Sequence, residues 1–279
     1  MNDIHRSLRT ALAACVISTV WATVSQAADE SPWSEDVRSA SRIVAGSGKS
    51  GDAQLRAGVE IKMQPGWKTY WRYPGDSGVP PHFDFSGSEN LKTATVLYPA
   101  PHLFTDETGQ SLGYKERVIF PVVVSPQQAG KPVRLRLKFD YAVCEKLCVP
   151  AEGRAELVLG PGNSAHNSDL SAAEARVPKQ VTPAQAGLTA RRINAGSKPQ
   201  VTVDLAAPPG QPVQLFVEGP TPTWALPIPK PAQPNSNGRA QFSFDLDGMP
   251  PGVDPKSQVD LTYTVVTGDR AVEVKSRLD

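Results

Sequence analysis

Two cysteines, Cys144 and Cys148, are the residues whose type and spacing best suit a chemical role. A thiol pair this close in the chain can cycle between dithiol and disulfide, brace a loop, or hold a soft metal ion. Closing a loop of about five residues stabilises the fold by only about 2 kcal/mol, because little conformational entropy is removed from the unfolded chain. We therefore favour a redox role, with a structural bridge and a metal-binding thiol pair as the alternatives.

The residues around the pair have the pattern of a β-hairpin. Between residues 133 and 143 the odd positions are apolar, and the even positions up to Asp140 are charged, as in a strand with one buried face. Between residues 149 and 159 the odd positions are again mostly apolar. If residues 145–147 connect two strands, the cysteines lie opposite each other, roughly 4.5–5.5 Å apart between Cα atoms. Both sulfurs are then expected to face outward at an accessible hairpin end, where disulfides are more easily reduced.

The N-terminus has the features of a secretory signal peptide. Arg6 and Arg9 form a basic start, residues 10–24 are mostly apolar, and Ser25-Gln26-Ala27 fits the small-x-small cleavage rule. The apolar run is shorter than the ~20 residues that a membrane-spanning helix needs. Lipoprotein cleavage at Cys15 is the alternative, although the apolar stretch continues beyond it. Cleavage after Ala27 leaves an even pair of cysteines in an oxidising compartment.

Charge and motifs exclude several classes of function. The chain carries 29 basic and 28 acidic residues, which argues against nucleic acid or anionic lipid as a partner, and no later stretch suggests membrane insertion. The histidines after residue 27 (His82, His102 and His166) have no metal-ligand spacing, and no phosphate-binding glycine loop is present. We therefore predict no cofactor and no metal. A cysteine nucleophile paired with His102 is an alternative, but the second thiol favours disulfide chemistry.

Composition and patterning predict an all-β protein. The chain has 27 prolines and 22 glycines between many short alternating runs. The predicted strands are 41–45, 55–63, 67–73, 80–86, 93–98, 117–124, 133–143, 149–159, 200–205, 213–217, 240–246, 259–266 and 271–277. Residues 99–113 and 220–237 read as long loops, and Pro121 predicts an edge or bulged strand.

The segment after Gly160 reads as a domain boundary. Residues 171–174 match a capping box and predict a short helix that runs to Val177. We predict two consecutive β-sandwich domains of unequal length joined by a short linker and helix. The predicted limits are 1–27 for the signal peptide, 28–162 for the first domain, 163–180 for the linker and 181–279 for the second domain.

Several segments resemble the periplasmic N-terminal domain of the thiol:disulfide interchange protein DsbD. They are Gly66-Trp67-Lys68-Thr69-Tyr70-Trp71-Arg72, Gly109-Gln110-Ser111-Leu112-Gly113-Tyr114, Val118-Ile119-Phe120-Pro121-Val122, Tyr141-Ala142-Val143-Cys144 and Leu147-Cys148-Val149-Pro150-Ala151-Glu152. The fit is closer to the ScsB type (suppressor of copper sensitivity), in which the cysteines are also three residues apart. The resemblance covers residues 40–160, and residues 180–279 look like the second immunoglobulin-like domain of that type.

The resemblance implies immunoglobulin-like domains and a set of site residues. Cys144 and Cys148 match the redox cysteines, and Tyr70 matches an aromatic residue that lines the site. Phe104 and Tyr141 are the other predicted lining residues.

The resemblance also implies a cap loop over the disulfide, matched by residues 104–109. The family's cap carries an aromatic residue just before its glycine, whereas Glu107 and Thr108 stand here, and Phe104 is the candidate to replace it.

The implied function is periplasmic thiol–disulfide exchange by an oxidoreductase of the protein-disulfide reductase type. Electrons would come from a membrane-embedded DsbD- or CcdA-like carrier and pass to periplasmic thioredoxin-like proteins. The chain ends at Asp279 without a membrane domain of its own, so we expect it to meet its donor by diffusion or docking.

Within the pair we predict Cys148 as the attacking thiol, with Lys146 favouring a thiolate and Glu145 opposing it. The alternative functions are Cu(I) binding, which a dithiolate suits, and partner binding by a sandwich with an inert disulfide.

Overall fold

The computed structural model describes residues 28–49, 51–75, 78–106, 109–193, 199–208, 210–221, 224, 226–236, 238–247 and 257–278. The predicted signal peptide, residues 1–27, lies outside the described residues. Antiparallel strands dominate the described chain, so the all-β prediction is confirmed. Neither described helix is long and apolar enough to cross a membrane.

The strands of the first half form two sheets. In chain order they are β1 (Ser34–Glu35), β2 (Ser39–Ala45), β3 (Leu55–Met63), β4 (Lys68–Gly75), β5 (His82–Asp84), β6 (Leu91–Val96), β7 (His102–Asp106), β8 (Gly109–Lys115), β9 (Arg117–Pro126), β10 (Val133–Cys144) and β11 (Cys148–Leu159). One sheet has the order β1-β2-β3-β9-β6, and the other has the order β11-β10-β4-β8-β7, with β5 also paired to β10. The apolar side chains of both sheets form one core, which includes Val59, Trp71, Phe120 and Phe139.

The second half begins with a helix and continues as a second pair of sheets. Its elements are α1 (Asn167–Ala175), β12 (Lys179–Val181), α2 (Pro183–Ala186), β13 (Thr189–Ile193), β14 (Gln200–Ala206), β15 (Val213–Glu218), β16 (Lys230–Ser236), β17 (Arg239–Asp245), β18 (Val259–Thr267) and β19 (Arg270–Leu278). The sheets have the orders β12-β19-β18-β15 and β13-β14-β17-β16, around a core that includes Val203, Phe242 and Tyr263. The two immunoglobulin-like sandwiches and the helix between them are as predicted.

The predicted hairpin around the cysteines is present as β10 and β11. The two strands pair in register from Val133 opposite Leu159 to Cys144 opposite Cys148. Burial alternates along β10 up to Tyr141, because one face packs on the core and the other meets solvent. The period-2 pattern therefore placed this ribbon correctly.

Two segments predicted as loops contain strands, so both predictions are wrong. Residues 102–106 and 109–115 form the paired strands β7 and β8. Gly113, which suggested a loop, marks a close approach of strands, since an added Cβ would lie 1.9 Å from the carbonyl oxygen of Thr69. The proline-rich segment contains β16, which lies at the edge of its sheet, where missing N–H groups are tolerated.

The start of the helix and the position of Pro121 also differ from prediction. Helix α1 begins at Asn167, and the hydroxyl of Ser171 accepts a hydrogen bond from Arg56 instead of capping the helix. The capping box is formed by Thr182 at the start of α2. Strand β9 is not an edge strand but lies between β3 and β6. Pro121 is accommodated because the pairing with β6 ends one residue later, at Val122.

Candidate functional site

Cys144 and Cys148 form a disulfide at the tip of the β10–β11 hairpin. Their Cα atoms are 4.2 Å apart, as expected for residues directly opposite each other in a pair without ladder hydrogen bonds. Residues 145–147 make the connection, and the backbone N–H of Glu145 donates to the carbonyl oxygen of Leu147 at 3.4 Å. The bond therefore joins the two ends of a three-residue turn.

The two cysteines differ sharply in exposure. Cys148 is exposed, whereas Cys144 is 2% exposed. The prediction that both sulfurs are accessible is therefore wrong for Cys144. The Cys144 side chain nevertheless points away from the main core, as the alternation predicted, because it clusters with Ala142 and Tyr70 apart from that core. The outer face is covered at this point, and that covering could not be read from the alternation in β10.

Strand β4 supplies the cover. Thr69 pairs with Val143 and Lys68 pairs with Cys144, so Tyr70 projects from the outer face beside Ala142. The hydroxyl of Thr69 donates to the carbonyl oxygen of Ala142 at 2.9 Å and fixes the two strands together. The Tyr70 side chain is thereby laid over the disulfide.

The hydroxyl of Tyr70 contacts both sulfurs. It donates to Sγ of Cys144 at 2.8 Å and lies 3.1 Å from Sγ of Cys148. Burial raises the pKa of Tyr70, and the carboxylate of Asp106 raises it further. The hydroxyl therefore keeps its proton at neutral pH and can donate a hydrogen bond to whichever sulfur carries negative charge.

A cleft of about 430 Å³ opens at the disulfide. Besides the two cysteines, its lining residues are Lys68, Tyr70, Asp106, Glu145 and Lys146. The two basic and two acidic side chains balance one another, so the cleft has no strong net charge. Leu147, beside Cys148 in the turn, is 79% exposed and adds an apolar contact surface at the rim.

Lys68 joins β4 to the β7–β8 hairpin, which contains most of the segment predicted as the cap and is called the cap hairpin. Glu107 and Thr108 of that segment lie outside the described residues. Its Nζ lies 2.7 Å from Oδ2 of Asp106 and donates to Oγ of Ser111 at 3.0 Å. The same nitrogen lies 5.4 Å from the centre of the Phe104 ring. Lys68 is not among the predicted site residues, although its position two residues before Tyr70 places it on the same strand face.

The structure places the predicted lining residues differently. Phe104 is partly buried in β7 and reaches the site through its contact with Lys68. Tyr141 points the opposite way, into the main core, where its ring stacks on Phe139 at 4.4 Å. Its hydroxyl is 2.8 Å from Oγ of Ser39. Tyr141 therefore contributes packing beneath the hairpin, while Tyr70 is the aromatic residue at the sulfurs.

His102, the candidate partner for a cysteine nucleophile, contacts other groups. Its Nε2 lies 3.1 Å from the guanidinium of Arg176. Burial lowers the pKa of His102, and the positive charge of Arg176 lowers it further. Within the described part of the chain, no group of three or more His, Cys, Asp or Glu side chains is arranged to hold a metal ion.

Comparisons with known proteins agree with the geometry. Residues 40–160 match the family model described as "Thiol:disulfide interchange protein DsbD, N-terminal". The crystal structure of the N-terminal periplasmic domain of ScsB from Proteus mirabilis is similar in fold, with a TM-score of 0.69 and 19% sequence identity. That similarity covers 90% of this chain and 98% of the ScsB domain. No curated protein sequence matches the chain. Residues 40–160 thus match the family model of the DsbD N-terminal domain, and the chain is similar in fold to the ScsB N-terminal periplasmic domain.

Proposed function

We propose that this protein is a periplasmic thiol–disulfide exchange protein. It relays reducing equivalents from a membrane-embedded DsbD- or CcdA-like carrier to periplasmic thioredoxin-like proteins. The observation that carries the proposal is the asymmetry of the disulfide, in which Cys148 is exposed and Cys144 is buried under the Tyr70 hydroxyl. The family match supports the chemistry, and the similarity to a domain described as periplasmic supports the location.

Reduction of the protein begins at the exposed sulfur. A thiolate of the donor attacks Sγ of Cys148, the bond between the cysteines breaks, and Cys144 leaves as a thiolate. The hydroxyl of Tyr70, 2.8 Å from Sγ of Cys144, stabilises that charge by hydrogen bonding. The second donor thiol then attacks the mixed disulfide and releases Cys148 as a thiol. The donor has lost two electrons and the protein has gained them.

Reduction of the client reverses these roles. The Cys148 thiolate attacks the client disulfide and forms a mixed disulfide, while one client sulfur leaves as a thiolate. The Cys144 thiolate then attacks Sγ of Cys148, which restores the bond between the cysteines and releases the second client sulfur as a thiolate that takes up a proton. Cys148 suits the external step because it is exposed, and the neighbouring Leu147 offers an apolar contact to the partner.

Trapping of the mixed disulfide tests the proposal. The Cys144→Ser variant keeps the exposed thiol and is expected to accumulate a mixed disulfide with an oxidised periplasmic thioredoxin-like protein. The Cys148→Ser variant keeps only the buried thiol, so we expect roughly tenfold less trapped product. Intact-mass analysis measures both, with the double serine variant as the blank. No adduct from either single variant would overturn the exchange function, and a larger yield from Cys148→Ser would reverse the roles of the cysteines.

A further inference from the structure

The second sandwich contacts β4 immediately beyond Tyr70. The rings of Trp71 and Phe216 lie 6.1 Å apart, and the hydroxyl of Tyr73 donates to the carbonyl oxygen of Leu226. At the end of the strand, a Cβ added to Gly75 would lie 3.3 Å from Cδ1 of Ile228. Phe216 and Ile228 pack into the core of the first sandwich, so this contact is continuous apolar packing.

A partly buried ionic cluster reinforces the contact between the sandwiches. Arg72 donates to Glu218 with two nitrogens, from Nε to Oε1 at 2.9 Å and from Nη2 to Oε2 at 2.7 Å. It also pairs with Glu273, which accepts a second hydrogen bond from Gln180. Bidentate pairs of this kind fix orientation as well as distance, because two parallel hydrogen bonds must form together. The cluster therefore fixes the direction of β4 relative to the second sandwich.

This part of β4 has little support from its own sheet. The pairing with β10 is confined to Lys68 and Thr69. The pairing with β8 runs from Lys68 to Tyr70 and resumes only at Gly75, after an irregularity. Between those two points the contacts of β4 with the second sandwich take the place of a regular ladder.

The same contacts bear on the position of the Tyr70 ring. Arg72 lies two residues after Tyr70, on the same strand face. Gly78, just after the strand, lies against the ring, since an added Cβ would be 2.6 Å from Cδ1 of Tyr70. A Cβ on Gly75 would be 2.7 Å from the carbonyl oxygen of Gln110 in the cap hairpin. Movement of the strand end would therefore disturb both the ring and the cap.

We propose that Arg72 is a positioning residue for the disulfide site. Through its pairs with Glu218 and Glu273, the second sandwich holds β4 so that the hydroxyl of Tyr70 stays against the sulfurs. This role rests on the proposed exchange function and assigns the second sandwich a part in it. Loosening the strand weakens the hydrogen bond to the Cys144 thiolate, which raises the pKa of that thiol and shifts the equilibrium with glutathione toward the disulfide.

The test uses the full-length protein and measures its equilibrium with glutathione. Four variants at Arg72 and Tyr70, including one double variant, are compared with a control at Arg136. We expect Arg72→Met to shift the glutathione equilibrium toward the disulfide by roughly three- to tenfold, and Arg72→Lys to shift it less. Tyr70→Phe should give a shift in the same direction. The double variant combines Arg72→Met with Tyr70→Phe. Because Arg72 acts through Tyr70, its glutathione equilibrium should match that of Tyr70→Phe alone, whereas independent effects would add.

Arg136→Met is the matched control. Arg136 also pairs with two carboxylates, those of Glu89 and Glu156, and lies in the strand that carries Cys144, but it does not bridge the sandwiches. The Arg136→Met variant should leave the equilibrium with glutathione unchanged. Should Arg72→Met disturb folding in a thermal melt, Glu218→Gln tests the same link with less disruption and should shift the equilibrium in the same direction.

The outcomes separate this inference from the proposed function. An effect of Tyr70→Phe without any effect of Arg72→Met or Glu218→Gln would overturn the positioning role and leave the exchange function standing. Additive effects in the double variant would overturn it as well. Failure of the cysteine variants to trap a thioredoxin-like partner would overturn the exchange function, while the glutathione equilibrium would still report on the link between Arg72 and Tyr70.

Discussion

The two ends of the β10–β11 ribbon share the same strands and the same alternation, yet they have opposite characters. At the far end the outward side chains meet solvent and form ion pairs, with Arg134 and Arg136 both bonded to Glu156. At the tip the outward residues Ala142 and Cys144 are buried under Tyr70. An alternating ribbon becomes a candidate redox site only at the end where its outer face is covered.

The difference arises from the strands that flank β10. Along its middle, β10 pairs with the short strand β5, from Lys138 to Asp140. At the tip it pairs with β4, which brings Tyr70 and Lys68 to the sulfurs. The neighbouring strand therefore determines whether an outward side chain of β10 meets solvent or is enclosed. Substitutions at the tip of the ribbon and at its far end should have different consequences.

The largest effect is expected from Tyr70→Phe, which keeps the ring and removes the hydroxyl. A hydrogen bond to a charged group is worth about 1.5–3 kcal/mol, so its loss should raise the pKa of the Cys144 thiol by about one unit or more. The pH profile of thiolate formation, followed by ultraviolet absorbance of the reduced protein, should move to higher pH.

Tyr114→Phe is the control for that variant. Tyr114 is also buried, and its hydroxyl donates to the carbonyl oxygen of Pro99 at 2.7 Å, away from the sulfurs. This variant should lose stability without moving the thiolate profile. Equal shifts in the two variants would show that Tyr70 acts through general packing rather than through its hydroxyl.

A smaller effect is expected from Asp106→Asn, which breaks the ion pair between the cap and Lys68. Partly exposed pairs contribute about 0.2–1 kcal/mol, so the cap hairpin should open roughly 1.4- to fivefold more often. Alkylation of Cys144 in a reduced Cys148→Ser background should accelerate by that factor. Asp84→Asn, which removes the partner of Lys138 in the middle of the ribbon, should leave the rate unchanged. An unchanged rate in Asp106→Asn would show that the Lys68–Asp106 ion pair does not hold the cap hairpin closed.

The smallest effect on the site is expected from Glu156→Gln at the far end. Hydrogen bonds from Arg136 and then Arg134 lower the pKa of Glu156. A carboxyl with a lowered folded-state pKa adds stability above its ordinary pKa of about 4.3, and that stability is lost as the pH falls through the lowered value. Chemical unfolding should therefore show a difference from the wild type at neutral pH that disappears once the pH falls below the lowered pKa of Glu156. Exchange with glutathione should not change, and a change would mean that the two ends are coupled.

The features that could be predicted from the sequence are those set by neighbours along the chain. Alternation placed β10, β11 and the Cys144–Cys148 pairing, because register follows from a period of two and a short turn. The burial of Cys144 could not be obtained in this way, since it depends on Tyr70, 74 positions earlier in the chain. Lys68 was missed because only the folded sheet brings it to the cap. Tyr141 was assigned to the site by resemblance, although its odd position already indicated the core.

The reduction potential of the Cys144–Cys148 pair is the most direct test of the claim that this disulfide takes part in thiol–disulfide exchange. Equilibration of the wild-type protein with glutathione buffers measures it. We predict a value among those of exchange proteins, between about −270 and −120 mV. A value below about −300 mV, which is typical of structural disulfides, would contradict the account and identify the bond as an inert brace.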